Sequence, residues 1–112
     1  MDDARYYAIS LRNRGTSLNQ QMLSDDAVLQ IARLYRFQWE PAQQAHVLLF
    51  PEGMIKLPGS SGEILKRVNG TASVGDIVAD LERAFPGTDL RGDVIEFLEH
   101  AYGKGWVRTK EG

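Results

Sequence analysis

From Tyr35 to Glu40 the chain alternates. Tyr35, Phe37 and Trp39 are aromatic, and Arg36, Gln38 and Glu40 between them are polar. A period of two predicts a half-buried strand. After a connection over Pro41 to Gln44, the run AHVLLF predicts a second strand. Val47 and Leu49 lie on one of its faces and Leu48 and Phe50 on the other, so both faces need cover. Phe50-Pro51-Glu52-Gly53 reads as a turn, with proline presetting φ and Gly53 expected to take a positive φ. A third strand follows from Met54 to Leu57, with Ile55 and Leu57 facing one way and Met54 and Lys56 the other. Pro58 and Gly59 end it.

The period then changes to that of helices. Ser60-Ser61-Gly62-Glu63 has the capping-box pattern, and Ile64, Leu65 and Val68 form the buried stripe behind it. Gly70 sits where a left-handed residue is wanted after a helix. Ser73-Val74-Gly75-Asp76 repeats the capping pattern, and Val74, Ile77, Val78, Leu81 and Phe85 keep helical spacing. Pro86-Gly87 breaks this second helix. Thr88 or Asp89 is expected to cap a third, which runs to about Tyr102. Gly105-Trp106-Val107-Arg108 predicts a short returning strand. Strands first and helices after imply an α+β domain: an N-terminal three-stranded antiparallel sheet followed by three helices, in a winged-helix-like arrangement.

Residues 1–24 are polar, with scattered apolar positions in no sustained period. Residues 1–30 read as a flexible N-terminal extension or a linker, and the body as residues 31–109. The competing reading of the extension is a segment that orders on a partner through Tyr6, Tyr7 and Ile9. Ser24-Asp25-Asp26 reads as opening a short turn of helix over Ala27 to Ile31.

The size of 112 residues fits one domain with a modest core. The absence of cysteine excludes disulfides, thiolate metal sites and cysteine nucleophiles. No apolar run approaches the roughly 18 residues of a membrane span, and no signal-peptide stretch opens the chain. A soluble cytoplasmic protein is expected. The net charge of −2 argues against a phosphate-binding surface. Asn69-Gly70-Thr71 matches a glycosylation sequon, read as chance. His46 reads as a strand-edge residue and His100 as a solvent-facing helix residue. No metal-ligand spacing, nucleophile elbow or phosphate loop is present, so the chain does not read as an enzyme and no cofactor is expected.

The third helix holds candidate functional positions. Leu90, Val94, Phe97 and Ala101 form its core stripe. Arg91, Ile95, Leu98 and Tyr102 run beside them as a second line. Either both lines are core, or Ile95, Leu98 and Tyr102 line a groove next to the third strand. An incoming peptide could then add as a strand to that edge. Asp93, Glu96 and Glu99 on the same helix would repel phosphates, which disfavours the alternative of a winged-helix DNA-binding or structural adaptor domain.

HVLLFPEGMIKL, GEILKRVNG, DIVADLERAF and DVIEFLEHAYGKGWV together closely resemble the PqqD family, small proteins of pyrroloquinoline quinone (PQQ) biosynthesis. The resemblance covers about residues 31–109. It rests on the joint order of Pro51-Glu52-Gly53, Lys56-Leu57, Ile64-Leu65, Gly70, Asp93-Val94, Phe97-Leu98 and Gly105-Trp106. This chain departs from the family with Pro58 in place of a frequent asparagine and Val68-Asn69 in place of Cys-Asp.

What the resemblance implies is a peptide chaperone, a RiPP recognition element. It would bind the ribosomal precursor peptide PqqA and present it to the radical S-adenosylmethionine enzyme PqqE, which crosslinks a glutamate and a tyrosine. The clusters and S-adenosylmethionine would belong to that partner. Fold-level analogy together with the periodicity makes the expected groove Met54, Ile55, Lys56 and Leu57 plus Arg91, Ile95, Leu98 and Tyr102. The apolar edge also allows self-pairing into a homodimer. Nucleic acid and membrane are not expected partners.

Overall fold

The computed structural model of the protein describes residues 23–110. The expectations placed on Tyr6, Tyr7 and Ile9 lie outside the described residues. The strands are β1 (Leu29–Ile31), β2 (Arg36–Glu40), β3 (Ala45–Phe50), β4 (Gly53–Leu57) and β5 (Val107–Thr109). The helices are α1 (Ser60–Leu65), α2 (Val74–Ala84) and α3 (Arg91–Lys104). The expected meander is β2-β3-β4, antiparallel throughout. The three helices follow it, so the α+β order read from the sequence is the order found.

The alternation of β2 and β3 sorts the sheet into two faces. Leu48 pairs in register with Phe37 on one side and Ile55 on the other. Leu48 and Leu57 enter the core, with Phe37 and Ile55 packed against it. The helices supply the opposite wall through Ile64, Leu65, Ile77, Leu81, Val94, Ile95, Phe97 and Leu98. Val47 points to the other face and is also fully buried, although it is not part of that core.

The body reaches further upstream than the boundary at residue 30 would have it. Leu23 and Leu29 belong to the core. No helical turn forms over Ala27 to Ile31. Instead β1 pairs with β5, with Leu29 opposite Thr109 and Ile31 opposite Val107. The short final strand therefore exists, but its partner is β1 and not the meander. The reason lies in long-range hydrogen bonds. Val74 donates its N–H to Ala27 O at 2.9 Å, Gly75 to Asp25 O at 2.9 Å and Lys110 to Val28 O at 2.7 Å. These carbonyls are satisfied by the start of α2 and the end of the chain, not by a local turn.

The caps divide by helix. Ser73 and Asp76 form the expected capping box of α2: Asp76 N–H donates to Ser73 Oγ, and Ser73 N–H donates to Asp76 Oδ2. The box expected at Ser60 and Glu63 does not form. Gly59 occupies the N-cap with φ 59°, and the Ser61 hydroxyl donates to Pro58 O at 2.6 Å. Nor does Thr88 or Asp89 cap α3, because Leu90 is its N-cap, without a side-chain bond. Gly53 opens β4 without a positive φ, since it already pairs with Phe50. Gly105 ends α3 in the left-handed conformation, at φ 84°. Among the described residues no helix is long and apolar enough to cross a membrane.

Candidate functional site

Strand β4 lies at one edge of the meander, with β3 as its single neighbour among the described residues. Its side chains alternate as the sequence predicts. Leu57 is buried in the core and Ile55 is half-buried against it, whereas Met54 and Lys56 are exposed. Met54, at 45% exposure, is among the large apolar side chains most open to solvent. An edge strand with open backbone groups and alternating side chains is chemically suited to accept another strand, the backbone supplying adhesion and the side chains selection.

The second line on α3 divides in two. Ile95 and Leu98 are both buried members of the core, and Leu98 has 0% exposure. Of the two sequence readings, the structure gives these residues the packing role. Leu57, Ile95 and Leu98 belong to one continuous apolar cluster, with Ile55 packed against it. Tyr102 keeps 37% exposure and Arg91 is also exposed. Arg91 is engaged: its guanidinium donates to both carboxylate oxygens of Asp25 at 2.5 Å. That hydrogen bond holds the guanidinium pKa above its ordinary value. Sequence reasoning missed Asp25, because it lies 66 residues away with no periodic signal.

Helix α1 is held close beneath the same sheet. His46 pairs in register with both Trp39 and Leu57, so it sits in the central strand and not at an edge. Its ring stacks on Phe37 at 4.9 Å between centroids and 7° between planes, and meets the edge of Trp39 at 5.1 Å. On α1, a Cβ at Gly62 would lie 3.0 Å from His46 Nδ1 and 3.2 Å from Leu57 O. Glycine is therefore what lets the helix approach Leu57 and β4 this closely.

One turn further, Arg67 joins α1 to α2. Its Nε donates to Asp80 Oδ2 at 2.5 Å and its Nη1 to Glu63 Oε1 at 3.0 Å. These hydrogen bonds hold both carboxyls below their ordinary pKa, against the smaller opposing effect of desolvation.

Two polar residues of α3 are drawn inward, and for His100 this corrects the solvent-facing expectation. Glu99 is 2% exposed and does not face solvent, and its Oε2 accepts the Leu23 N–H at 3.2 Å. His100 is half-buried, with its ring edge-on to Trp106 at 5.6 Å. Among the described residues no three His, Asp or Glu side chains converge to hold a metal ion.

With this geometry in hand, the likeness to known proteins is direct. Residues 45–107 match the family described as Coenzyme PQQ synthesis protein D (PqqD). A protein of Azotobacter vinelandii (strain DJ / ATCC BAA-1303) named PqqA binding protein is 47% identical over 91 residues, covering 80% of this chain and 97% of its own. A Pseudomonas aeruginosa (strain UCBPP-PA14) protein of the same name is 49% identical over 86 residues, covering 76% and 94%. The solution NMR structure of the PqqD truncation of Methylobacterium extorquens PqqCD is described as a functional and stand-alone RiPP recognition element. It aligns with a TM-score of 0.64 over 79% of this chain and 96% of that one, at 23% identity, which establishes the shared fold.

Proposed function

The chain belongs to the PqqD family, and on that premise we propose that it binds the PqqA precursor peptide in PQQ biosynthesis. In this reading PqqA adds as a fourth strand to the outer edge of β4. Its inward side chains lie against Ile55 and the apolar floor of Leu57, Ile95 and Leu98. Met54, Lys56, Arg91 and Tyr102 form the accessible rim. The observation that carries the reading is the edge of β4, unpaired among the described residues, with Ile55 and Leu57 turned to the core.

The chemistry follows from strand addition. Each backbone hydrogen bond contributes about 0.5–1.5 kcal/mol net, so a few of them give adhesion with little sequence preference. Specificity then comes from alternate side chains. A peptide held extended cannot fold on itself. The role we assign is to present it so to the radical S-adenosylmethionine enzyme PqqE, where a glutamate and a tyrosine are crosslinked. The chain itself would supply no catalytic group and no cofactor.

Titration of isotope-labelled protein with PqqA, followed by backbone amide shifts, tests this reading. The largest shifts are expected from Gly53 to Leu57 and along α3. Saturating shifts confined to β2, or no shifts at all, would remove strand addition at β4. Adding PqqE to the complex should leave the β4 shifts in place and broaden a different surface.

A further inference from the structure

Lys56 is the only charged residue of β4. We propose that it selects a guest strand carrying a side-chain carboxylate on its outward face, two residues from an outward apolar residue that meets Met54. This inference rests on strand addition at β4 and names the class of peptide that the edge prefers.

The register carries the argument. Ile55 and Leu57 face the core, so Met54 and Lys56 project from the other face. Across the sheet, Lys56 pairs with Val47, and Val47 pairs with Gln38. Neither neighbour is charged. Val47 is fully buried, so the stem of Lys56 rises beside an apolar residue from which water is excluded. The sheet therefore places no carboxylate in register with this ammonium. A fourth strand would put one side chain directly opposite it, with Cβ atoms about 4.5–5.5 Å apart. An opposite charge there is favoured and a like charge is opposed. The position two residues along the guest faces Met54, and an apolar side chain there covers surface that is otherwise wet. The residue between them turns inward to Ile55. The preferred guest is thus an extended segment with a carboxylate and an apolar residue at i and i+2, flanking an inward apolar residue.

The experiment is a charge swap, read by calorimetry on the full chain with synthetic PqqA amidated at its C-terminus, so that only side-chain carboxylates remain. Lys56 is exposed, so K56E and K56Q should keep the amide spectrum of the fold. K56E should weaken binding about fivefold, with K56Q between it and the native protein. Each peptide carboxylate is then replaced in turn by lysine. One position should restore binding to K56E while weakening binding to the native protein by a similar factor. If K56E binds as well as the native chain while the β4 amides still shift, Lys56 has no selective role and strand addition stands. If K56E binds weakly but no peptide position compensates, the charge acts diffusely and the paired carboxylate is ruled out. If the β4 amides of the native protein never shift, both this inference and the reading beneath it fail.

Discussion

Arg67 and Asp80 are joined at 2.5 Å from Nε to Oδ2, so one guanidinium ties the turn after α1 to the outer face of α2. The same group reaches Glu63, and both carboxyls are held below their ordinary pKa by its hydrogen bonds. Groups with a lowered folded pKa contribute stability that is present above the unfolded carboxylate pKa of about 4 and fades as pH falls through the lower folded value. The native protein should therefore melt above R67Q at pH 7, and the gap should close below about pH 4. Thermal melts from pH 7 to pH 2 measure it. A gap that persists unchanged at pH 2 would show that Arg67 stabilises through packing and its bond to the Glu63 carbonyl, not through the two carboxylates.

Leu98 supplies a second prediction, because its full burial makes it part of the packing. Leu98→Ala should cost about 2–5 kcal/mol of unfolding free energy, the range for a large core side chain cut to alanine. Leu98→Asp should prevent folding at ordinary temperature, because an unpaired carboxylate would replace a core residue. Denaturant unfolding followed by Trp106 fluorescence measures the first. Any loss of peptide binding in these variants should track the unfolded fraction.

Gly62 is expected to resist substitution. A methyl group there meets His46 Nδ1 and Leu57 O at 3.0 and 3.2 Å, and the carbonyl cannot yield without moving β4. Gly62→Ala should destabilise the fold by about 1–3 kcal/mol, the usual cost of overfilling a packed contact. It should also shift the amides of His46 and Leu57. A melting temperature at or above that of the native protein would show that α1 lifts away freely.

Glu99 gives the fourth test. Its Oε2 accepts the Leu23 N–H, inside a buried region. Glu99→Leu would leave that N–H without its acceptor, at about 1–3 kcal/mol, whereas Glu99→Gln keeps an oxygen in reach and should cost less. Hydrogen exchange at the Leu23 amide should accelerate in the leucine variant and stay slow in the glutamine one.

The meander and the three helices were legible in the sequence because their signals are local. Phe37 and Trp39 alternate with polar residues, and Ser73 stands three positions before Asp76. The failures are long-range. Leu29 and Ile31 are too few to show a period, and the partners that make them a strand, Thr109 and Val107, lie far along the chain. The acceptor role of Glu99 carried no local signal either, because it depends on Leu23, 76 residues earlier. For the site, the inward and outward sides of β4 were readable from alternation. The burial of Leu98 was not, since helical spacing gives a face without saying how deeply it is covered.

The pairing of β1 with β5 has a consequence for protein engineering. Leu29 and Thr109 face each other across one ribbon, and Lys110 N–H donates to Val28 O, so the chain just ahead of β1 and the chain just behind β5 run side by side. A bridge from Lys110 back to Leu23 would close the packed body into a ring that keeps Leu23 in the core, and the ring could be opened at the Pro41–Gln44 connection. Such a circular permutant should keep the sheet and its open edge.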